Sequence, residues 1–339
     1  MKILFIGGTG TISSAISKQL IEMKEDLFIL NRGSKNNVLG TEGVTYLTCD
    51  INDETKVKNL IEDLSFDVVA DFIAFEPSAV KRDYRLFKGK TKQYIFISSA
   101  SAYQKPLSDY RINEGTPLSN PYWQYSRDKI ACEDYLMKLY REENFPITII
   151  RPSHTYSNQA IPLAVHGDKG SWQVAKRMLE GKKVIIHGDG TSLWTMTSNK
   201  DFAKAFIGLL ANIHAIGQAV QITSDETLTW NQIYQSIANA LNVELKPYYV
   251  PSDFLDAVGP YDFKGGLIGD KASSVVFDNS KLKRLVPGFK ATIRFDQGIK
   301  ECIDNILKHP GLQKEDPEFD VWCDKVIAAL ENAKKNILV

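Results

Sequence analysis

The sequence predicts an α/β protein, a doubly wound parallel sheet followed by a smaller C-terminal α/β lobe. Three observations carry this. Short apolar runs alternate with amphipathic stretches through the first 150 residues, the runs show no polar alternation, and the first run leads directly into a glycine turn. The runs are Lys2 to Ile6, Leu27 to Leu30, Val44 to Thr48, Val68 to Ile73, Tyr94 to Ile97 and Ile147 to Ile150. Strands that are apolar on both faces belong to parallel sheets covered by helices on each side.

A chain of 339 residues exceeds what one hydrophobic core usually serves. Residues 1–155 form the sheet domain, completed by a strand and helix from about 196–225. The pattern loosens after Arg151-Pro152, so 156–310 read mainly as a substrate-binding lobe and 311–339 as a helical tail with apolar Val321, Ala328, Ala329 and Leu330 among charges.

Composition narrows the classes. Lysine plus arginine equals aspartate plus glutamate at 41 each, so no overall field favours a polyanion and only a local basic patch would serve nucleic acid. No apolar run approaches the roughly 20 residues of a membrane helix. Cys49, Cys132, Cys302 and Cys323 lack metal-binding spacing, and the chain opens on a strand pattern; the expectation is a reduced cytoplasmic protein, a possible homodimer, with no metal site.

The first strand runs into Gly7-Gly8-Thr9-Gly10-Thr11-Ile12-Ser13 and then a helix, the setting a dinucleotide fingerprint requires. Gly7 and Gly10 let the backbone turn sharply and approach a pyrophosphate, which the amides of Thr11 and Ile12 meet at the helix start. Ser13 stands where a third glycine often sits; it is small enough for helix and strand to pack. The sheet is therefore expected to be a Rossmann domain binding NAD or NADP. The second strand ends Asn31-Arg32, where an NAD protein places an acid and an NADP protein an arginine, which leans towards NADP. Arg32 over the adenine, or simply solvated, is the other reading. After the third strand, Asp50 and Ile51 read as adenine contacts, with Asp50 as a helix N-cap the alternative.

Tyr125 and Lys129, four residues apart in YSRDK, share one helix face. An ordinary tyrosine titrates near about 10, so acting at neutral pH takes about 4 kcal/mol of help from positive charge. Tyr84 and Lys88 repeat the spacing, but only Tyr125 follows the strand Tyr94 to Ile97 and its serine-rich end, at the sheet edge where open α/β folds bind ligands.

With GGTGTIS, SSASAY, YSRDK, ITIIRPSHTY, HGDGTSLW before Asp201-Phe202-Ala203, and FDNSKLKR in this order, the chain resembles the extended short-chain dehydrogenase/reductase superfamily, the NAD-dependent epimerases and dehydratases of nucleotide sugars, over about residues 1 to 305. The resemblance implies a triad of Ser99, Tyr125 and Lys129, with Tyr125 the acid/base, Ser99 on the substrate hydroxyl and Lys129 on the nicotinamide ribose. It adds Phe72, Ile73, Ala74, Pro152 and Ser153 to the cofactor side, and Ser101, His154 and Trp194 beside Ser99 to the substrate side. Family dehydratases carry an Asp-Glu pair after the triad hydroxyl; Ala100 and Ser101 stand here, so epimerisation or reduction of a sugar is expected over dehydration. Trp194 replaces an arginine that grips the substrate diphosphate, which puts the nucleotide part of the substrate in question.

The glycine turn, Asn31-Arg32-Gly33 and the missing arginine also resemble an atypical branch that includes chloroplast stem-loop RNA-binding proteins. That branch offers a rival: an RNA binder using a basic face at Lys176, Arg177, Lys182 and Lys183. A regulator that binds NAD(P) without turnover is a third reading.

Overall fold

A computed structural model describes residues 1–34 and 39–337. Seven strands form one parallel sheet: β1 (Lys2–Ile6), β2 (Asp26–Asn31), β3 (Val44–Thr48), β4 (Val68–Asp71), β5 (Tyr94–Ile97), β6 (Ile147–Pro152) and β7 (Gln218–Ile222). Their spatial order is β3-β2-β1-β4-β5-β6-β7. This is the Rossmann arrangement, and the order reverses between β1 and β4, which opens a crevice at their carboxyl ends. β4 stops at Asp71, two residues short of the predicted run, because the chain turns there.

Helices α1 (Ser13–Glu22), α2 (Glu54–Leu60), α3 (Pro77–Phe87), α4 (Gln124–Glu143) and α5 (Asn199–Leu209) cover the sheet. One core gathers Ile3, Phe5, Ile16, Leu20, Phe202 and Phe206; the other gathers Leu4, Ile6, Val80, Phe87, Phe96 and Leu136. The alternation Ile3, Phe5 against Leu4, Ile6 explains the continuous apolar run of β1, since both faces are covered.

The chain divides into two compact units. The first comprises 1–155, 197–225 and 277–292; the second comprises 156–196, 226–276 and 293–339. In the second unit the helix Pro317–Ile337 buries Phe319, Cys323 and Val326. Val321, read from sequence as part of its packing face, is 51% exposed, and Ala328 and Ala329 are exposed too. The helical period starting at Phe319 decides which face turns inward.

The basic face proposed for RNA does not form. Arg177 is 1% exposed, with its guanidinium on Asp320 at 2.6 Å and Asp324 at 2.7 Å. Lys182 pairs with Asp320, Lys176 with Glu315 and Lys183 with Glu331. The acids come from the chain's last segment, so the local positive charge is cancelled within the unit. All four cysteines are buried and free, and no three His, Cys, Asp or Glu side chains gather to hold a metal ion among the described residues. No described helix is long and apolar enough to cross a membrane.

Candidate active site

A cavity of about 580 Å³ opens along the carboxyl ends of the sheet, lined from the glycine turn to Tyr125. Of the cofactor-side candidates, Gly7, Gly10, Thr11, Ile12, Asn31, Arg32, Asp50, Ile51, Phe72, Ile73, Tyr125, Lys129 and Pro152 line it.

The turn that begins the wall is built from three glycines in different settings. Gly7 has φ +84°, and a Cβ there would meet Ile73 Cγ2 at 2.6 Å. Gly8 has its own constraint, a Cβ contact of 2.7 Å with Ile29. Gly10 needs neither; an added Cβ would find only Ser13 Oγ, at an ordinary 3.5 Å. Its missing side chain matters to whatever fills the cavity. Ser13 does more than leave room for packing: its Oγ accepts from the Gly10 amide at 2.9 Å and donates to the Gly7 carbonyl at 3.0 Å. The helix follows at Ser13, with Ile12 as its N-cap and Thr11 just before it, beside the intrinsically unpaired amides of the first turn.

At the second strand's end, Asn31 Oδ1 accepts from the Gly33 amide at 2.7 Å, which leaves Arg32 exposed on the cavity wall beside Ser34. Asp50 is not a helix cap. Its Oδ1 takes the Asn52 amide at 2.9 Å, and α2 is capped by Asp53, which accepts from Lys56. Ile51 and Phe72 serve twice, packing into the core while presenting an edge to the cavity.

Tyr125 and Lys129 emerge on one face of α4, with the ammonium 5.6 Å from the phenol ring centre. The helix begins at Gln124, three residues after Pro121. Lys129 is 2% exposed and donates to the carbonyls of Ala74 and Ile97, each at 2.7 Å. Burial pushes its ammonium down to about 8. Two of its three N–H donors are thereby occupied. Ala74 is 1% exposed and absent from the cavity wall: its part is to hold Lys129, not to touch a cofactor.

Ser99 stands half-buried at the end of β5, at the start of a hydroxyl chain. Its Oγ lies 2.9 Å from Ser101 Oγ, which also accepts from Ser126 Oγ at 2.8 Å. Ser101 is 3% exposed, its hydroxyl held between those of Ser99 and Ser126. Ser98, not Ser99, lines the cavity, but its hydroxyl donates to Glu133, which in turn holds Arg151 in a buried pair at 2.6 Å. Ser153 follows the cavity residue Pro152 and carries a buried Oγ with no partner, an orphan that a ligand amide would satisfy. His154 is half-buried beside it.

Trp194 departs from its assignment. It is 3% exposed, stacked on Trp230 at 5.8 Å, and belongs to the packed interior of the second unit. The sequence reading missed Phe75, whose ring is 53% exposed on the cavity wall, 6.3 Å from the Tyr125 ring and 4.7 Å from Lys129 Nζ. An aromatic residue in a loop carries no spacing signal. The second Tyr-x-x-x-Lys is a surface pair: Tyr84 and Lys88 both bond Glu143.

Residues 3–223 match the model of the NAD dependent epimerase/dehydratase family. Among curated proteins the chain is 22% identical over 290 residues to a 2'-dehydrokanamycin reductase of Streptomyces kanamyceticus, covering 86% of this chain and 80% of that one. It is 24% identical over 333 residues to a putative UDP-glucose 4-epimerase of Methanocaldococcus jannaschii, covering 89% and 97%. Among solved structures, UDP-glucuronic acid 4-epimerase from Bacillus cereus in complex with NAD superposes with a TM-score of 0.70 at 20% identity, over 92% of this chain and 98% of that one.

Proposed function

The chain belongs to the NAD dependent epimerase/dehydratase family, and on that premise we propose that it is an NAD(P)-dependent sugar epimerase or reductase, with Tyr125 as its proton carrier. The observation that carries this reading is the Tyr125–Lys129 pair on the wall of a cavity that begins at the glycine turn.

The residues fit a dinucleotide. The amides at the start of α1 would face a pyrophosphate, Gly10 leaves space for it, and Ser153, next in the chain to the cavity residue Pro152, carries an unmatched buried Oγ. Arg32 on the exposed wall supports NADP over NAD, since Asn31-Arg32 stand at the end of β2 where an NAD protein places its acid. When bound, the nicotinamide supplies the hydride donor or acceptor.

The protein's own work is proton transfer. Tyr125 gives a proton to, or takes one from, the substrate oxygen as the carbon changes between alcohol and carbonyl. Lys129 favours the phenolate by its charge, and its third N–H is left for the ribose. Ser99, oriented by Ser101 and Ser126, holds the substrate hydroxyl. Ala100 and Ser101 occupy the places where dehydratases carry their acid and base, which supports epimerisation or reduction. Relatives named for UDP-glucose support a nucleotide sugar as substrate, and the relative named for dehydrokanamycin supports a keto-glycoside that carries no nucleotide as the second class to try.

The test is a panel. NAD⁺ and NADP⁺ are titrated into the protein, then UDP- and dTDP-sugars and keto-glycosides without a nucleotide are added while reduced nicotinamide and epimeric products are followed. Turnover of one class supports the reading. A protein that binds neither dinucleotide overturns it.

A further inference from the structure

Three charged side chains that the proposed chemistry does not use are buried beside the cavity. Asp71 ends β4 at 1% exposure, and Arg82 and Asp83 lie on α3 at 8% and 0%. Arg82 donates to Asp83 Oδ1 through Nε at 2.9 Å and Nη2 at 2.7 Å, reaches Asp71 Oδ2 at 3.4 Å, and donates to Asn52 on the cavity wall at 2.8 Å. The Tyr94 hydroxyl donates to Asp83 Oδ2 at 2.6 Å. Two carboxyl groups thus face one guanidinium. Burial first, and the neighbouring Asp83 second, hold the Asp71 carboxyl well above the usual range.

The other oxygen of Asp71 points at the loop. Oδ1 accepts from the amides of Ile73 at 2.5 Å and Ala74 at 2.9 Å, which fixes the turn after β4. The carbonyl of that same Ala74 accepts from Lys129 Nζ, and the next residue is Phe75, whose ring lies against the same ammonium. A solvated aspartate would make such a turn without the cost of burying it. Here the carboxyl is enclosed and braced from α3.

We propose that Asp71, braced by Arg82 and Asp83, is a positioning residue that places Lys129 through the Ala74 carbonyl. The inference rests on the reading of Lys129 as part of the proton-transfer pair, and its test does not need turnover.

Lysine acetylation kinetics, followed residue by residue in peptides by mass spectrometry, are compared for the nucleotide-free wild type, Asp71→Ala and Asp71→Asn, with exposed Lys92 as internal standard. Asparagine keeps the acceptor for both amides at nearly the same volume. The expected result is Lys129 labelling on the order of tenfold faster in Asp71→Ala, as for loss of one hydrogen bond to a charged group, and within about twofold of wild type in Asp71→Asn. Wild-type labelling in Asp71→Ala, or equal acceleration in both variants, overturns the proposal. Should Asp71→Ala lose its circular dichroism spectrum, Asp71→Ser, which keeps one acceptor, is held to the same criterion. A parallel NAD⁺ titration of the wild type separates the two claims: no binding defeats the cofactor reading alone, because the labelling contrast stands without nucleotide.

Discussion

The Ser13 hydroxyl takes the Gly10 amide at 2.9 Å, closing the glycine turn from within. Gly7 and Gly8 are thus constrained by the packing around them while Gly10 faces the cavity with room for a Cβ, and substitution of Gly7 and Gly10 separates the two settings. Gly7→Ala forces a side chain at φ +84° and into Ile73, so it destabilises the fold by about 1–3 kcal/mol in urea unfolding. Gly10→Ala leaves stability within about 1 kcal/mol but weakens NAD(P)⁺ binding tenfold or more by calorimetry, roughly the effect of a blocked pyrophosphate contact. Equal stability losses in both variants would contradict this division.

Lys129 gives a pH dependence of known sign. Its ammonium sits at about 8, against an ordinary value of 10.5. Between those limits the unfolded chain binds more proton than the folded one, so this residue adds stability as pH rises from about 8 towards 10.5 and adds nothing further above. Comparison with Lys129→Met cancels the other groups. The wild type should gain about 3 kcal/mol on the variant between pH 7 and pH 11, an order-of-magnitude figure from the size of the displacement. A flat difference across that range would mean that Lys129 titrates as an exposed lysine.

Glu133, in the middle of α4, holds Arg151 of β6 and also accepts from Ser98. Both ions are nearly inaccessible, so Glu133→Ala leaves an unpaired buried guanidinium and costs about 3–5 kcal/mol in chemical denaturation. Glu133→Gln keeps the acceptor and should cost less. Equal losses would contradict this and place the whole effect in the lost charge, since glutamine keeps the packing.

Substitution of Arg32 tests the choice between the cofactors. Arg32→Ala should weaken NADP⁺ binding by about 10-fold or more, as expected for loss of a charge-assisted phosphate contact, with NAD⁺ changed less than about twofold. Parallel losses for both would assign Arg32 to the adenine face instead.

Much of the first unit was legible because its physics is local. β1 through β6 appear as apolar runs since helices cover both faces, and the spacing of Tyr125 and Lys129 sets them on one helix face. What stayed hidden depends on partners distant in sequence. Arg82 and Asp83 sit in an ordinary amphipathic stretch, and only the fold brings them to Asp71 and Tyr94. Lys176, Arg177, Lys182 and Lys183 look like a basic face until the helix Pro317–Ile337 and its approach supply Glu315, Asp320, Asp324 and Glu331. Trp194 looks available for stacking until Trp230 is found against it. Ser99 was placed by its position after β5, whereas the hydroxyl chain through Ser101 and Ser126 needs the helix to be docked.

The central claim is that Tyr125 transfers the proton in a site that binds its cofactor independently of that phenol. Tyr125→Phe removes one oxygen and leaves the ring, the cavity wall and Lys129 in place. Measured with whichever sugar the panel identifies, kcat should fall by about 10²–10⁴ while the Kd for the dinucleotide stays within about twofold. Wild-type turnover by Tyr125→Phe would contradict the account.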